Sequence, residues 1–131
     1  MFVCILRFMR PVQKKKRSKD SGYRVGGRIW IKGPEGAFLG YGRVVLLEHI
    51  RDHGSISAAA RSMSMSYRHA WKLVDSMNAQ AKAPLVQMST GGSGGGGAVL
   101  TDAGERAIAA FWQVHDDCNA FFEHQTAALE W

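Results

Sequence analysis

From residue 43 to residue 81, apolar residues recur every three or four positions, which is the period of helices that pack on one face. The pattern predicts a first helix over residues 43–54, ended by Gly54 because glycine adopts a left-handed conformation at low cost. Two more helices are predicted within residues 55–80, with Ser55 and Ser66 as N-caps and a break at residues 62–64. The last of them would bury Ala70, Val74, Met77 and Ala81.

Shorter segments carry the alternating pattern of strands. Apolar and polar residues alternate over residues 28–32, which predicts a half-buried strand. The next stretch, "GPEGAFLGYG", contains four glycines and a proline and is interpreted as irregular. Strands are also predicted at residues 84–90 and 98–101, where only "GGSGGGG" separates them, so we expect them to form an antiparallel hairpin.

The C-terminal segment predicts one long helix that starts at the N-cap Thr101. Mostly apolar or small residues recur along it at alternating four- and three-residue steps, which is typical of a coiled-coil seam. This seam consists of Ala107, Phe111, Val114, Cys118, Phe121, Gln125 and Ala128. Because so long an apolar helix has more surface than a small domain covers, we expect self-association through Phe111, Val114, Cys118 and Phe121.

The order helix, turn, helix, hairpin predicts a mainly α protein with a small β-hairpin, namely a winged helix-turn-helix with a long C-terminal dimerisation helix. The predicted domains are a basic flexible arm at residues 1–24, the winged helix-turn-helix at 25–101 and the dimerisation helix at 102–131.

Charge separates the two ends of the 131-residue chain, whose net charge is +6. Residues 1–32 contain ten lysines and arginines and one acid, whereas residues 102–131 contain six acids and one arginine. A basic segment favours nucleic acid, because binding releases the counterions of the phosphates. Neither a membrane-spanning run nor a secretory signal is apparent, so a cytoplasmic location is expected.

Chemistry-bearing residues are sparse and scattered. Cys4 and Cys118 fit neither a disulfide framework nor a zinc pattern, and the five histidines lie in no nucleophile or metal motif. The glycine loop lacks the Gly-Lys-Ser/Thr ending of a nucleotide-binding loop and leads into a strand instead of a helix. We therefore expect no enzyme, no bound metal and no cofactor.

The predicted DNA interface has two parts. Arg68 and Lys72 lie four residues apart and would enter the major groove together, with Tyr67 and His69 adding hydrogen bonds near the capped helix start. Glycines at the wing tip can approach the sugar–phosphate backbone closely, although a loop without DNA contact remains an alternative. For Trp71 the sequence leaves two alternatives, packing inside the domain and contact with DNA. The full set is Ser55, Ser57, Ser66, Tyr67, Arg68, His69, Lys72, Gly92, Ser93, Gly94 and Gly95.

The sequence "GSISAAARSMSMSYRHAWKLVDSMN", followed by "PLVQMSTGGSGGGGAVLTDAGERAI", resembles the N-terminal DNA-binding domain of the molybdate-responsive ModE-type regulators and, more loosely, the LysR-class helix-turn-helix. The resemblance implies a dimeric winged helix that binds promoters. It places Ser66, Tyr67, Arg68 and Lys72 in the recognition helix and Gly91, Gly92 and residues 94–97 in the wing. Full-length members carry further molybdate-binding domains, which would begin where this chain ends, so direct molybdate sensing is not expected.

Two functions follow from these patterns. The first is a homodimeric, sequence-specific transcriptional regulator that binds double-stranded promoter or operator DNA and is linked to molybdenum metabolism. The alternative is a modulator that forms heterodimers with a full-length ModE-type relative and has no effector response of its own. Both need the same C-terminal helix, so the sequence alone does not separate them.

Overall fold

The computed structural model describes residues 22–89 and 96–129. Most of the predicted basic arm lies outside the described residues, and so do Cys4 and the wing residues Gly92, Ser93, Gly94 and Gly95. The elements follow in the order β1 (Trp30–Gly33), β2 (Gly36–Gly40), α1 (Tyr41–His53), α2 (Ile56–Ser62), α3 (Tyr67–Gln80), β3 (Val86–Ser89), β4 (Gly97–Leu100) and α4 (Asp102–Ala127). The predicted fold class, a winged helix-turn-helix followed by a long helix, is confirmed.

The capping residues mark the end of α1 and the starts of α2 and α3. Gly54 has a φ of 74°, and its N–H donates to the carbonyl of Ile50 to close α1. The Ser55 hydroxyl accepts from the N–H of Ala58 at the start of α2, and that of Ser66 accepts from the N–H of His69 at the start of α3. The chain therefore changes direction between α1 and α2 and again between α2 and α3. These two changes of direction let the three helices pack against one another.

The core is formed by the inner faces of these helices together with the two hairpins. Its fully buried members on α1 are Val44, Leu46, Leu47 and Ile50. The predicted stripe on α3 is correct for Ala70, Val74 and Met77, while Ala81 follows the helix and is only partly buried. Apolar burial of this extent is the main favourable contribution to folding.

The stretch after residue 32 is not irregular, contrary to the sequence prediction. Residues 36–40 form β2, which pairs antiparallel with β1 across a turn at Pro34 and Glu35. Gly36 has a φ of 108°, which favours glycine, so a residue interpreted as a breaker instead shapes the turn. Leu39 on β2 is buried in the core, and the Gln80 side chain donates to the carbonyl of Ala37. The hairpin therefore braces the C-terminal end of α3.

The predicted second hairpin is confirmed. Strand β3 pairs antiparallel with β4, from Val86 opposite Leu100 to Ser89 opposite Gly97. Val86 and Ala98 are buried in the core, whereas Met88 and Val99 are exposed. Met88 shares a face with Val86 and Ala98 but lies beyond the core, whereas Val99 is on the opposite, solvent-facing side of the hairpin.

Helix α4 is continuous over residues 102–127, as predicted, and begins at Thr101, whose hydroxyl accepts from the N–H of Gly104. Its first part packs on the core through Ile108 and Phe111. Phe111 is 0% exposed within its own chain, so its assignment to a partner-facing seam gives way to a core role. Val114 and Phe121 lie further along and remain 40% and 58% exposed.

An extended N-terminal segment runs beside the second half of α4. The N–H of Val25 donates to the Thr126 hydroxyl at 2.9 Å, and the Phe122 ring lies against the backbone at Gly27. Among the described residues, no helix combines the length and apolar character that crossing a membrane requires.

Candidate nucleic-acid interface

Helix α3 exposes one side of its N-terminal half to solvent. A turn joins α2 to α3. Within this turn Ser64 has a left-handed φ of 52°, and the N–H of Met65 donates to the carbonyl of Ala60. Ser66 then caps the helix, and the buried stripe of α3 fixes which side faces the core. The opposite side is therefore held in one orientation by the whole three-helix unit.

The side chains predicted to contact DNA share this exposed side. Tyr67 is 52% exposed, and Arg68, His69 and Lys72 are also exposed. Arg68 and Lys72 lie one helical turn apart, so both cations project in the same direction. Asp75 follows on the same side and is the one acidic residue of α3. Two cations and two hydrogen-bonding rings thus occupy the part of the helix nearest its N-terminus.

Trp71 packs inward. It is partly buried against the core, and its ring meets the Tyr67 ring edge to face, with centroids 6.3 Å apart and planes at 88°. This geometry is a favourable one for aromatic pairs. The structure therefore favours packing for Trp71, which in turn restrains the orientation of Tyr67.

The start of α2 contains the other predicted serines. Ser55 is half-buried, and its hydroxyl oxygen is occupied by the cap bond to Ala58, while Ser57 is exposed in the first turn. The structure thus gives Ser55 a structural task, and a DNA contact by either serine stays a prediction.

The wing is fixed to the helices by three sets of hydrogen bonds. The Asn78 side chain on α3 donates to the carbonyl of Val86 and accepts from the N–H groups of Leu85 and Val86, at 2.8–3.2 Å. The N–H of Ala98 donates to the carbonyl of Gly54 at 2.8 Å. On the α4 side, the N–H of Thr101 donates to the carbonyl of Leu85. The base of the wing therefore has a set position relative to α3, from which Asn78 comes.

Arg61 and Lys82 are exposed cations that the sequence argument did not include. Arg61 lies in the last turn of α2, just before the turn into α3, and Lys82 lies just beyond the end of α3. They lie at the two edges of the recognition unit, which is α3 with the turn that precedes it. This position in the sequence could have indicated a role in DNA contact. By contrast, Arg43 donates to the Ser76 hydroxyl, and Arg51 forms ion pairs with Asp52 and Glu105. These two arginines therefore connect α1 to α3 and to α4.

His115, Asp116 and Cys118 lie within one turn of α4. His115 contacts Asp116 and Asn119, while Cys118 is a half-buried free thiol. Over residues 22–89 and 96–129, no group of three or more His, Cys, Asp or Glu side chains is placed to hold a metal ion.

The family model for bacterial regulatory helix-turn-helix proteins of the lysR family matches residues 42–105. This match covers α1 to the first turn of α4, and therefore the recognition unit and the wing together. These residues are a helix-turn-helix domain, a class that binds DNA and has no catalytic site.

Comparison with curated proteins narrows the type of domain. The chain is 54% identical over 79 residues to the molybdenum-pterin-binding protein MopB of Rhodobacter capsulatus, covering 60% of this chain and 29% of MopB. It is 48% identical over 66 residues to the transcriptional dual regulator ModE of Escherichia coli K12, covering 50% and 25%. For ModE of Haemophilus influenzae the identity is 38% over 102 residues, covering 78% and 38%.

This part of the chain is therefore a ModE-like helix-turn-helix domain, as the sequence resemblance implied. The chain spans between a quarter and two fifths of the length of these relatives.

Proposed function

We propose that the protein is a dimeric transcriptional regulator that binds specific sequences of double-stranded DNA through α3 and the wing. The observation that carries this proposal is the exposed pair Arg68 and Lys72 on the first two turns of a capped helix, whose opposite side is buried in the core. The match of this unit to a helix-turn-helix family supports it.

Two kinds of DNA contact are proposed, namely contacts to base edges and contacts to the sugar–phosphate backbone. An α-helix fits the major groove, where arginine can donate two hydrogen bonds to the acceptors of guanine. Arg68 is the best candidate for such a base contact, with Tyr67, His69 and Lys72 beside it. Arg61 and Lys82 would face phosphates at the edges of the groove, and the glycine-rich wing would place backbone N–H groups on the sugar–phosphate backbone. Because such DNA is chromosomal, the proposal also assigns the protein to the cytoplasm.

The link to molybdenum is also a proposal. The names of the matched relatives include transcriptional regulator, molybdenum transport protein and molybdenum-pterin-binding protein. We infer that the promoters bound by this protein belong to genes of molybdenum uptake or use. Mapping of bound chromosomal sites with and without molybdate in the medium tests the targets and the effector together.

The direct test of DNA binding is its dependence on salt. We expect the affinity for duplex DNA to fall by about three orders of magnitude between roughly 50 and 200 mM salt if six or more phosphates are contacted. Fluorescence anisotropy with a labelled duplex, selected from a random pool, measures this slope. If the chain binds no duplex at low salt, or if its affinity for duplex does not change with salt, the proposed function is wrong.

The proposed dimer rests on the second half of α4. Val114, Cys118 and Phe121 are spaced four and three residues apart, so they lie on one side of the helix. Two of them are largely exposed apolar side chains, beyond the part of α4 that covers the core. The same surface of a second copy is a fitting partner, because twofold pairing of two DNA-binding units matches a pair of half-sites about one helical turn apart.

The variant Val114→Glu/Phe121→Glu is expected to be a folded monomer, because two like-charged side chains would replace the apolar contact. Light scattering gives the mass, and circular dichroism confirms that the helices remain. The matched control is Gln113→Glu/Ala120→Glu, which adds the same two charges at exposed positions outside the seam. A double variant that keeps a dimer mass contradicts the α4 seam. A wild-type chain that pairs with a full-length relative in preference to itself would favour the heterodimeric modulator.

A further inference from the structure

Two histidines on α1 face each other outside the proposed DNA interface. His49 and His53 are four residues apart, so they project from the same side of the helix. Their ring centroids are 5.7 Å apart, with the planes inclined by 37°. His53 is exposed and His49 is half-buried. Imidazole nitrogens bind first-row metal ions at about 2.0–2.1 Å, so small side-chain rotations bring both rings onto one ion.

A hydrogen bond from α2 fixes which nitrogen of His49 carries the proton. The Ser62 hydroxyl donates its single proton to the carbonyl of Ala59 at 2.7 Å. Toward His49 the Ser62 oxygen can therefore only accept, and the Nδ1 atom 2.5 Å away must be the donor. A neutral His49 ring then has its lone pair on Nε2, the atom that points away from Ser62. Metal-binding histidines are oriented in the same way by a partner at their other nitrogen.

The charges beside this pair on α1 are compatible with a cation. Arg51, in the same turn of α1, forms ion pairs with Asp52 and Glu105, which offset its positive charge. The residue between Arg51 and His53 is the acid Asp52, which is exposed. The pair therefore does not face an uncompensated cation on its own helix.

We propose that His49 and His53 form a surface site for one first-row divalent ion such as Ni²⁺, Cu²⁺ or Zn²⁺. Ser62 positions His49, and water completes the coordination sphere. Two imidazoles without thiolates or clustered carboxylates suit these ions better than Mg²⁺ or Ca²⁺, which prefer oxygen ligands. The ion would connect the last turn of α1, through Ser62, to the last residue of α2. This inference does not depend on the proposed DNA-binding function.

The test uses the full chain at about pH 8. Calorimetric titration with Ni²⁺ is expected to show a phase of one equivalent, and Zn²⁺ is expected to shift the imidazole ¹⁵N signals of both histidines. His49→Ala and His53→Ala should each abolish this phase, whereas His124→Ala, on the last turn of α4, should keep it. Ser62→Ala retains both imidazoles and should weaken binding about 10- to 100-fold.

The same experiment contains the results that would overturn the proposal. Nickel binding by folded His53→Ala that equals that of the wild-type chain would remove the site. So would a metal-free spectrum in which His49 carries its proton on Nε2. Circular dichroism of each variant establishes folding; His53 is exposed and His49 only half-buried, and alanine is well tolerated in a helix.

Discussion

Replacing Phe111 with alanine is expected to lower the free energy of unfolding by about 3–5 kcal/mol. The side chain is completely buried, and its ring meets that of Trp112 at 5.2 Å between centroids and that of His115 at 5.9 Å. Alanine would remove the buried apolar surface and leave a cavity between α4 and the core, which the surrounding helices fill only in part. Urea denaturation followed by circular dichroism measures the loss.

Phe121→Ala is the matched control, because it makes the same chemical change on the same helix at a side chain that is 58% exposed. We expect its effect on the monomer to be within about 0.5 kcal/mol, as is usual at the surface. If Phe121 lies in a dimer interface, its effect grows with protein concentration, whereas the loss from Phe111→Ala persists at every concentration. Equal, concentration-independent losses for the two variants would contradict the division of α4 into a core part and an exposed part.

This division also shows what the sequence could not determine. The spacing of Phe111, Val114, Cys118 and Phe121 correctly predicts a common apolar side of one long helix. Periodicity identifies that side but does not say how far along it the rest of the domain extends. The structure supplies that information, since Ile108 and Phe111 are buried while Val114 and Phe121 are not. A coiled-coil pattern and a helix packed on its own domain have nearly the same sequence signature.

The sequence predicts helix boundaries correctly where a single capping residue determines the backbone conformation. Gly54 closes α1, and Ser55, Ser66 and Thr101 cap the three helices that follow, each as predicted from its chemistry. The same rules were wrong for residues 33–42, where glycine and proline were interpreted as breakers. There Gly36 forms a turn between two short strands, and the burial of Leu39 makes the hairpin part of the core. Long-range packing of this kind is not visible in a local pattern.

The candidate interface was predicted in part for a similar reason. The side of α3 that carries Arg68 and Lys72 follows from helical periodicity, and it is exposed as expected. The role of Asn78 does not follow from any periodicity, because its bonds to Leu85 and Val86 depend on how the chain returns after α3. Arg61 belongs to the preceding helix, and its place beside the recognition unit depends on the conformation of the turn at Ser64.

Arg68→Ala is expected to weaken binding to the selected operator by about 1–3 kcal/mol, or roughly 5- to 150-fold. Arg68 is exposed in the first turn of α3, and a capped helix start is the part of a recognition helix that reaches the base edges. Loss of a two-pronged contact to guanine removes both affinity and discrimination at one base pair. Anisotropy titrations with the operator, and with duplexes altered at single positions, measure both.

Arg106→Ala is the control for charge, since it removes one exposed positive charge from α4 and leaves α3 and the wing unchanged. We expect it to have little effect, and Arg61→Ala, at a proposed phosphate contact, to weaken all duplexes alike while lowering the salt slope by about one. Arg68→Ala should instead relax specificity at a single position, because a base contact is lost along with the charge. If Arg68→Ala and Arg106→Ala weaken every duplex equally, α3 contributes only net charge, and recognition of sequence must come from another part of the chain.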